Sequence, residues 1–433
     1  MSAEIGLGFL GLGTVGSAVV RTVTERSGYL ERQIGRSFQV RRALIRDPSR
    51  KRDVPLDASQ MTVNADDVLD DASIDVVVEL MGGVEPANTY IRRALASGKH
   101  VVTANKEVMA TYGIELLELA TAHGRDLYFE ASVGGGIPVI GPFRQDLAAN
   151  QIREVHAIIN GTTNYILTEM ASGGVDFDAA LADAQRLGYA EPNPTNDIEG
   201  IDAAYKLVIL ASLAFNCAVR PAEVYREGIT RISAADFQYA AELGYGIKLL
   251  AIAKRASNGF EARVHPALIQ QDVLLAQVDG VFNAVLLDGD LLGRALFIGR
   301  GAGPEPTSSA IVADLIDLGH NIRSEVHDRI PMSLDGDLCV LPMAEVRSRY
   351  YFRLWVKDQP GVLARIGTVC GEHAISIASV IQKEVDDNAG RAELVFLTHE
   401  AQEAAVQGAL SAIADLDVVA SVASMIRVED LAE

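Results

Sequence analysis

The sequence predicts an α/β protein of two or three domains, and two patterns carry this prediction. In the first third of the chain, short apolar runs alternate with segments of helical periodicity, as in a parallel sheet buried on both faces. Residues 349–433 instead contain strands and helices in the order βαββαβ, which predicts a small α+β domain. A chain of 433 residues is long enough for several domains, each with its own core.

A glycine-rich turn follows the first predicted strand. Residues 5–10 are apolar, residues 11–16 have the sequence GLGTVG, and residues 17–23 have helical spacing. The first glycine permits the tight turn, the second lets the backbone approach a pyrophosphate, and the third lets the helix pack on the strand. We therefore predict a Rossmann dinucleotide-binding domain over residues 1–150, with Gly11, Gly13 and Gly16 at the cofactor. A plain glycine-rich turn is the alternative.

The second predicted strand helps to choose the cofactor. Residues 38–45 lead to Arg46, where a site that prefers NAD would usually place an acid against the ribose hydroxyls. A guanidinium there, backed by the basic residues 50–52, suits the 2′-phosphate of NADP instead. Asp47 argues in the other direction, and a solvated basic loop is the alternative. The sequence therefore favours NADP, with NAD as the other choice.

Two further strand ends are predicted to meet at the crevice of the sheet. Residues 74–83 form a buried run that ends at a glycine turn, and residues 100–106 form another that ends at Lys106. Ligands of open α/β sheets bind beyond the carboxyl ends of the strands. We therefore expect Lys106 near the nicotinamide half of the cofactor, although a lysine that only caps a strand end is the alternative.

Three later segments carry small polar or glycine residues. Residues 128–138 combine Glu130 with a run of glycines, whose carbonyls could bind a hard cation, although a flexible loop is equally consistent. From about Gln151 the pattern changes, and residues 160–164 could offer hydroxyls and amides to a substrate, cap a helix, or do both. A glycine loop at 299–303 precedes a helical segment, which we expect to return to the cofactor domain.

The most informative stretch sets acids and a lysine around a turn. Residues 192–196 cannot continue a helix, so we predict a new helix from Asp197, with Asp197 as its N-cap. Asp202 and Lys206 then share one face, and the apolar run that follows carries the helix into a core. A partly desolvated lysine held by a carboxylate can exchange protons with a substrate. An ordinary helix salt bridge is the alternative, and Glu191 nearby makes it less attractive.

Composition excludes several classes of function. A net charge of −20 argues against nucleic acid or anionic membrane as a partner. The three cysteines lack metal-ligand spacing, and the eight histidines form no zinc motif. No segment has the pattern of a secretory signal or a bilayer span, so we expect a cytoplasmic protein.

Residues 1 to about 320 resemble the homoserine dehydrogenases. The most specific match is the run GYAEP at 188–192, followed by DIEGID at 197–202 and by Lys206. The resemblance implies the reversible NADPH-dependent reduction of L-aspartate 4-semialdehyde to L-homoserine, in threonine, methionine and isoleucine biosynthesis. Two rivals remain at this point: another NADP-dependent Rossmann oxidoreductase acting on an amino-acid carbonyl, and a non-catalytic sensor of NADP and an amino acid.

The resemblance also implies roles for individual residues. Lys206 would donate a proton to the aldehyde, and Lys106 would be a second catalytic lysine in contact with cofactor and substrate. The implied substrate-binding residues are Glu191, Asp202, Gly161, Thr162 and Tyr189. The implied cofactor contacts, besides the glycine turn and Arg46, are Thr14, Val15, Gly82, Thr103, Gly188 and Gly303. A sodium ion would bind Glu130 and the carbonyls of Val133, Gly135 and Ile137.

The C-terminal part resembles an ACT regulatory domain. Its strands and helices between Tyr350 and Arg427 follow the βαββαβ order, and the family implies amino-acid binding. We therefore divide the chain into a Rossmann domain (1–150, joined by a returning helix at 300–320), a substrate-binding and dimerisation domain (151–330), a linker (331–348) and an ACT-like domain (349–433). L-threonine is the first effector to test, and a homodimer or homotetramer is the expected assembly.

Overall fold

The structure, a computed structural model, describes residues 4–329, 334, 336, 338–386 and 390–431, without the side chains of residues 383–386. The chain divides into two compact units. The first comprises residues 1–155, 205–222 and 283–338, and the second comprises residues 156–204, 223–282 and 339–433. Within the described ranges, no helix combines the length and the apolar character needed to span a bilayer.

Strands and helices alternate through most of the chain. The first elements are β1 (Ile5–Leu10), α1 (Thr14–Glu25), α2 (Ser27–Ile34), β2 (Phe38–Leu44), β3 (Met61–Thr62), α3 (Asp66–Leu69), β4 (Val76–Glu79), α4 (Ala87–Ala96), β5 (His100–Thr103), α5 (Lys106–Ala122), β6 (Leu127–Tyr128) and α6 (Ile140–Arg144). The middle elements are β7 (Ile152–Ile158), α7 (Gly161–Gly173), α8 (Phe177–Leu187), α9 (Thr195–Ile198), α10 (Ile201–Phe215), β8 (Tyr225–Arg226), α11 (Ala234–Glu242), β9 (Tyr245–Ala256), β10 (Gly259–Gln270), β11 (Phe282–Gly289), β12 (Gly293–Arg300) and α12 (Pro304–Ser324). The last elements are β13 (Arg347–Lys357), α13 (Val362–Glu372), β14 (Ile377–Asp386), β15 (Arg391–Thr398), β16 (Ala401–Gln402), α14 (Glu403–Ala414) and β17 (Val419–Val428).

The first unit contains a six-stranded sheet in the order β3-β2-β1-β4-β5-β6. Neighbouring strands run parallel, and every residue of β1 is buried, because helices cover such a sheet on both faces. Helix α12 belongs to this unit and lies against α1, where the hydroxyls of Thr22 and Ser308 are 3.1 Å apart. Ile311 and Leu315 enter the same core as Val19. This strand order is that of the Rossmann fold, so the predicted fold class is confirmed for this part of the chain.

The second unit contains a mixed sheet in which β9, β10, β17, β13, β15 and β14 are successive neighbours. Strands β9 and β10 form a long antiparallel hairpin, and β17 joins the edge of β10 in parallel at Ala267–Arg427 and Leu268–Val428. Strands β13, β14, β15 and β17, with α13 and α14, have the predicted βαββαβ order and enclose a core of their own, and the two-residue strand β16 precedes α14. The C-terminal α+β domain is therefore confirmed, and its sheet continues the sheet of the preceding segment.

Two expectations about local structure need correction. Asp197 is not the N-cap of the long helix, because it lies inside the four-residue helix α9. Gly200, with a left-handed backbone (φ +72°), then separates the two helices, so the helix that carries Asp202 begins only at Ile201. Because glycine adopts a positive φ without strain, Gly200 permits a second turn here. The sequence analysis expected only the turn at residues 192–196. The predicted linker lies partly outside the described residues, which do not include Pro331.

Candidate active site

The three glycines of the turn between β1 and α1 have different structural roles. Gly11 has a left-handed backbone (φ +105°), and a Cβ on it would lie 2.8 Å from the carbonyl oxygen of Leu80. A Cβ on Gly16 would lie 2.4 Å from the carbonyl oxygen of Gly11, so this residue sets how closely α1 packs on the turn. A Cβ on Gly13 would meet no heavy atom within 4 Å. Open space before the N-terminus of α1, which begins at Thr14, suits a phosphate group.

The loop after β2 presents Arg46 as an exposed side chain. The neighbouring Asp47 is occupied locally, because its Oδ1 accepts hydrogen bonds from the Ser49 hydroxyl (2.6 Å) and amide (2.8 Å). These hydrogen bonds lower the pKa of the Asp47 carboxyl. Arg52 donates from Nε to the carbonyl of Leu12 inside the glycine turn (3.2 Å). The loop therefore holds one arginine against the turn and leaves another in solvent.

The ends of β4 and β5 are joined by a buried carboxylate. Glu79 accepts a hydrogen bond from the Thr103 hydroxyl (2.6 Å) and another from the amide of Met81 (2.7 Å). Burial raises the pKa of Glu79, and these hydrogen bonds offset part of that increase. Asn105 caps α5 by accepting from the amide of Val108, which places Lys106, half-buried, as the first residue of the helix. Sequence reasoning missed Glu79, whose signal was an acid at the end of an otherwise apolar strand.

One asparagine of the second unit brings two acids of the signature together. Nδ2 of Asn160 donates to Oδ1 of Asp197 (2.6 Å) and to Oδ2 of Asp202 (2.9 Å). The Oδ1 of Asn160 accepts from the amide of Thr163, which makes Asn160 the N-cap of α7. The asparagine is therefore fully used, and it fixes both carboxylates against the start of α7. Sequence analysis placed Asn160 in a polar cluster but did not name it as a site residue.

Helix α10 carries the other predicted pair. Asp202 lies in its first turn and is buried, and Lys206 lies one turn later and is half-buried. Residues four apart share a helix face, as the sequence predicted.

The turn after α8 holds the remaining signature residues. Gly188 ends α8 in the left-handed conformation (φ +79°), as is common at helix C-termini. The Thr162 hydroxyl of α7 donates to the carbonyl of Tyr189 (2.6 Å), and Gln185 donates to the carbonyl of Glu191 (3.1 Å). The side chains of Tyr189 and Glu191 are exposed. The turn is thus tied to α7 next to Gly161, while its two side chains remain accessible to a ligand.

The Glu130 loop lies in the first unit. The carboxylate of Glu130 accepts amide hydrogen bonds from Val139 (2.6 Å), Ile140 (2.9 Å) and Gly141 (2.6 Å). Among the described residues, no cluster of three or more His, Cys, Asp or Glu could hold a metal ion. A cation in this loop would therefore depend on carbonyl oxygens such as those of Val133, Gly135 and Ile137. Gly303 is the N-cap of α12 with a positive φ, and its loop lies against the Glu130 loop, because the amide of Gly136 donates to the carbonyl of Arg300 (3.2 Å).

Comparison with known proteins identifies the family. The family model of homoserine dehydrogenase matches residues 138–316, that of its NAD-binding domain matches 11–130, and that of the ACT domain matches 350–417. Homoserine dehydrogenase of Pseudomonas aeruginosa is 43% identical over 98% of this chain and 99% of its own. The chain belongs to the homoserine dehydrogenase family.

Solved structures of homoserine dehydrogenases agree with this result. The crystal structure of the Thiobacillus denitrificans homoserine dehydrogenase is 45% identical, with a TM-score of 0.93 over 100% of this chain and 99% of that one. A hyperthermophilic archaeal homoserine dehydrogenase in complex with NADPH is 28% identical, with a TM-score of 0.62 over 73% of this chain and 98% of that one. The chain is therefore an NAD(P)-dependent oxidoreductase with a C-terminal ACT domain, and its family membership implies homoserine and aspartate semialdehyde as substrates.

Proposed function

We propose that this chain reduces L-aspartate 4-semialdehyde to L-homoserine with NADPH, reversibly, and that Lys206 donates the proton. The observation that carries the assignment of roles is the pair of hydrogen bonds from Asn160 to Asp197 and Asp202. An amide that donates to two carboxylates holds them close together without neutralising them, so their charge remains available to an ammonium group. Homoserine and aspartate semialdehyde both carry such a group.

The chemistry requires one hydride and one proton. The nicotinamide cofactor, when bound, supplies the hydride to the aldehyde carbon. Lys206, as an ammonium, donates its proton to the carbonyl oxygen, and its charge stabilises the alkoxide as it forms. Asp202 and Glu191 bind the substrate ammonium, Gly161, Thr162 and Tyr189 complete the substrate contacts, and Lys106 contacts both cofactor and substrate. In the reverse direction Lys206 accepts the proton of the homoserine hydroxyl.

The preference for NADPH is assigned to Arg46. Its guanidinium is exposed just beyond β2, where the 2′-phosphate of the ribose is expected, and a guanidinium matches a phosphate in geometry and charge. Asp47 is engaged by Ser49 and is thus less available to a ribose hydroxyl. The pyrophosphate would lie over Gly13, with contacts from Gly11, Thr14, Val15 and Gly16. The other proposed cofactor contacts are Gly82, Thr103, Gly188 and Gly303.

Sodium binding remains a proposal with a narrower ligand set. Three amide hydrogen bonds to Glu130 already satisfy much of its carboxylate, so the carbonyls of Val133, Gly135 and Ile137 are the oxygens to test. Binding of sodium to the protein can be followed by sodium-23 nuclear magnetic resonance, with potassium as the competing ion.

Regulation by L-threonine through the ACT domain is proposed in the same way, as are a homodimer or homotetramer and a cytoplasmic location. The domain limits of 1–150, 151–330, 331–348 and 349–433 also remain proposals.

The experiment that tests the proposed function is a spectrophotometric assay. Purified protein is mixed with L-homoserine and either NADP⁺ or NAD⁺, and the absorbance band of the reduced cofactor is followed. We expect reduction of NADP⁺ in preference to NAD⁺, and none with L-serine, which lacks one carbon of the substrate chain. A protein that binds both ligands without any absorbance change would be a sensor and not an enzyme.

A further inference from the structure

The buried carboxylate of Glu79 lies at the end of β4 and has no part in the reaction proposed above. Glu79 has no exposed surface, and the three residues that precede it in β4 are valines. A carboxylate in such a place costs free energy unless hydrogen bonds compensate for the lost water. The hydrogen bonds that Glu79 accepts are therefore the place to look for its role.

One chain of hydrogen bonds runs from Glu79 to the start of α5. The Thr103 hydroxyl donates to Oε2 of Glu79 (2.6 Å), and the oxygen of the same hydroxyl accepts from the amide of Asn105 (3.0 Å). Because a hydroxyl has a single hydrogen to donate, the carboxylate fixes its direction and leaves a lone pair for that amide. Asn105 in turn accepts from the amide of Val108 (3.1 Å) as the N-cap of α5, whose first residue is Lys106.

The same carboxylate also holds the loop after β4. Oε1 of Glu79 accepts from the amide of Met81 (2.7 Å), and Nδ2 of Asn105 donates to the carbonyl of Gly83 (2.7 Å). A Cβ on Gly11 would lie 3.3 Å from the amide nitrogen of Met81, so the glycine turn packs against this loop. The two oxygens of one carboxylate therefore bind the loop that meets the glycine turn and the strand end that leads to α5.

We propose that Glu79 is a positioning residue of the reaction, which acts through Thr103 and Asn105 to set the position of Lys106 at the cofactor crevice. The proposal rests on the role proposed above for Lys106. Glu79 is fully buried, so it acts through these neighbours and not by contact with the substrate. Displacement of a reacting or contacting group by about 1 Å can lower a rate by about 10². The fixed position of Lys106 is thus the quantity that the network protects.

The link to remove is the Thr103 hydroxyl. Thr103→Val removes the hydroxyl and keeps the branched shape, whereas Thr103→Ser keeps the hydroxyl and removes only the methyl group. Glu79→Gln keeps the length of the side chain, but its single acceptor oxygen cannot replace both carboxylate oxygens. Thr398→Val is the matched control, because Thr398 is a buried threonine of β15 whose hydroxyl accepts from the amide of Tyr350 (3.0 Å).

The measurements are steady-state kinetics with homoserine and NADP⁺, fluorescence titration with NADPH, and thermal unfolding by circular dichroism. We expect Thr103→Val and Glu79→Gln each to lower kcat at least about tenfold. Thr103→Ser and the control are expected to keep most of the parent kcat. The dissociation constant of NADPH should change much less than kcat in Thr103→Val, because the pyrophosphate contacts are proposed on the glycine turn.

A second background separates positioning of Lys106 from a general structural effect. In Lys106→Ala, the additional change Thr103→Val should lower the residual kcat no further, because the lysine to be positioned is absent. If Thr103→Val does not fold, Glu79→Gln in the two backgrounds makes the same comparison.

Three results would overturn the role of Glu79 and leave the proposed reaction intact. These are a parent kcat in folded Thr103→Val or Glu79→Gln, a failure of Thr103→Ser to retain activity, and an equal loss with and without Lys106. A parent protein that does not oxidise homoserine would instead overturn the proposed reaction and the role of Glu79 together.

Discussion

The assigned proton donor gives the most direct prediction at the scale of single residues. Lys206→Ala is expected to lower turnover by on the order of 10²–10⁴, the usual contribution of a positioned acid or base, and to leave the dissociation constant of NADPH nearly unchanged. Steady-state kinetics and fluorescence titration with NADPH measure the two quantities. Lys357→Ala, at the exposed end of β13, is the control. Near-normal turnover in Lys206→Ala would show that Lys206 is not the proton donor and has a structural role instead.

Two arginines of one loop are expected to behave differently. Arg46→Ala should raise KM for NADPH far more than KM for NADH, because only NADPH carries the 2′-phosphate. Arg52→Ala should raise both, because Arg52 holds the glycine turn through the carbonyl of Leu12 and that turn serves either cofactor. Kinetics with both cofactors for the two variants make this comparison. Equal increases in KM for NADPH and NADH in Arg46→Ala would show that Arg46 does not bind the 2′-phosphate.

Asn160 is predicted to support the substrate site because its amide donates to two carboxylates and holds them next to each other. Asn160→Asp keeps the cap of α7, because a carboxylate oxygen still accepts from Thr163, but it loses the amide that donates to Asp197 and Asp202. Like charges at this distance repel, so we expect KM for homoserine to rise at least about tenfold. Affinity for NADP⁺ should not change. Loss of cofactor binding to the same degree would indicate general disruption instead.

At the scale of secondary-structure elements, the packing of residues 225–232 against the turn between α9 and α10 can be tested. A Cβ on Gly228 would lie 2.3 Å from the carbonyl oxygen of Ile198, so Gly228→Ala must displace the turn that carries the signature acids. We expect a higher KM for homoserine and a lower melting temperature. Gly367→Ala is the matched control, because a Cβ there meets no atom within 4 Å and alanine favours a helix interior. An unchanged KM for homoserine in Gly228→Ala would show that the packing of residues 225–232 does not affect substrate binding.

Buried ion pairs connect the ACT domain to the rest of the second unit. Arg353 of β13 donates to Asp236 of α11 (2.9 Å) and to Glu393, and Asp236 also accepts from the Ser424 hydroxyl (2.5 Å). Arg427 pairs with Glu403 at the start of α14 (2.6 Å) and with Glu227 (2.8 Å). Removing the chain beyond Ser348 would take away Arg353 and the Ser424 hydroxyl, so the Asp236 carboxylate would lose its ion pair and keep only its hydrogen bonds from Ser233. We therefore expect such a truncation to destabilise the second unit, and point variants of the full chain test regulation more cleanly.

Acid sensitivity is the corresponding prediction for the whole molecule. Burial alone would raise the pKa of Asp236, but Arg353 and the Ser424 hydroxyl outweigh it and hold that pKa below its ordinary value. A carboxyl with a lowered pKa in the folded state stabilises the fold above its unfolded pKa, about 3.9 for Asp, and this contribution is lost as pH falls through the folded pKa. We expect the free energy of unfolding to fall steeply below about pH 4.

Asp236→Asn is expected to lower the free energy of unfolding by about 3–5 kcal/mol at neutral pH, because it leaves Arg353 partly unpaired in the interior. It should also flatten the dependence of stability on pH in the acid range. Urea unfolding at a series of pH values measures both effects, and Asp417→Asn, which removes an exposed pair with Arg365, is the control. Equal effects of the two variants would show that the buried pair contributes no more than the surface pair.

The sequence by itself determined the features that rest on local pattern. The alternation of apolar strands and helices predicted the α/β fold, because each element must bury its own face. The glycine turn after β1 predicted the dinucleotide-binding segment, since a tight turn and a close packing both require residues without a Cβ. The signature around Asp202 and Lys206 identified the family through its order and spacing.

Only the tertiary structure decided which distant groups meet. Asn160 lies 37 residues before Asp197 and 42 before Asp202 in the chain, yet it donates a hydrogen bond to each. Glu79 of β4 accepts a hydrogen bond from Thr103 of the neighbouring strand β5. The second break at Gly200 and the pairing of β17 with β10 were likewise absent from the sequence analysis. Periodicity and turn chemistry report on neighbours within a few residues, whereas these contacts depend on how separate elements pack. The local pattern therefore indicated the chemistry of the site, and the packing of the elements determined which groups hold it in place.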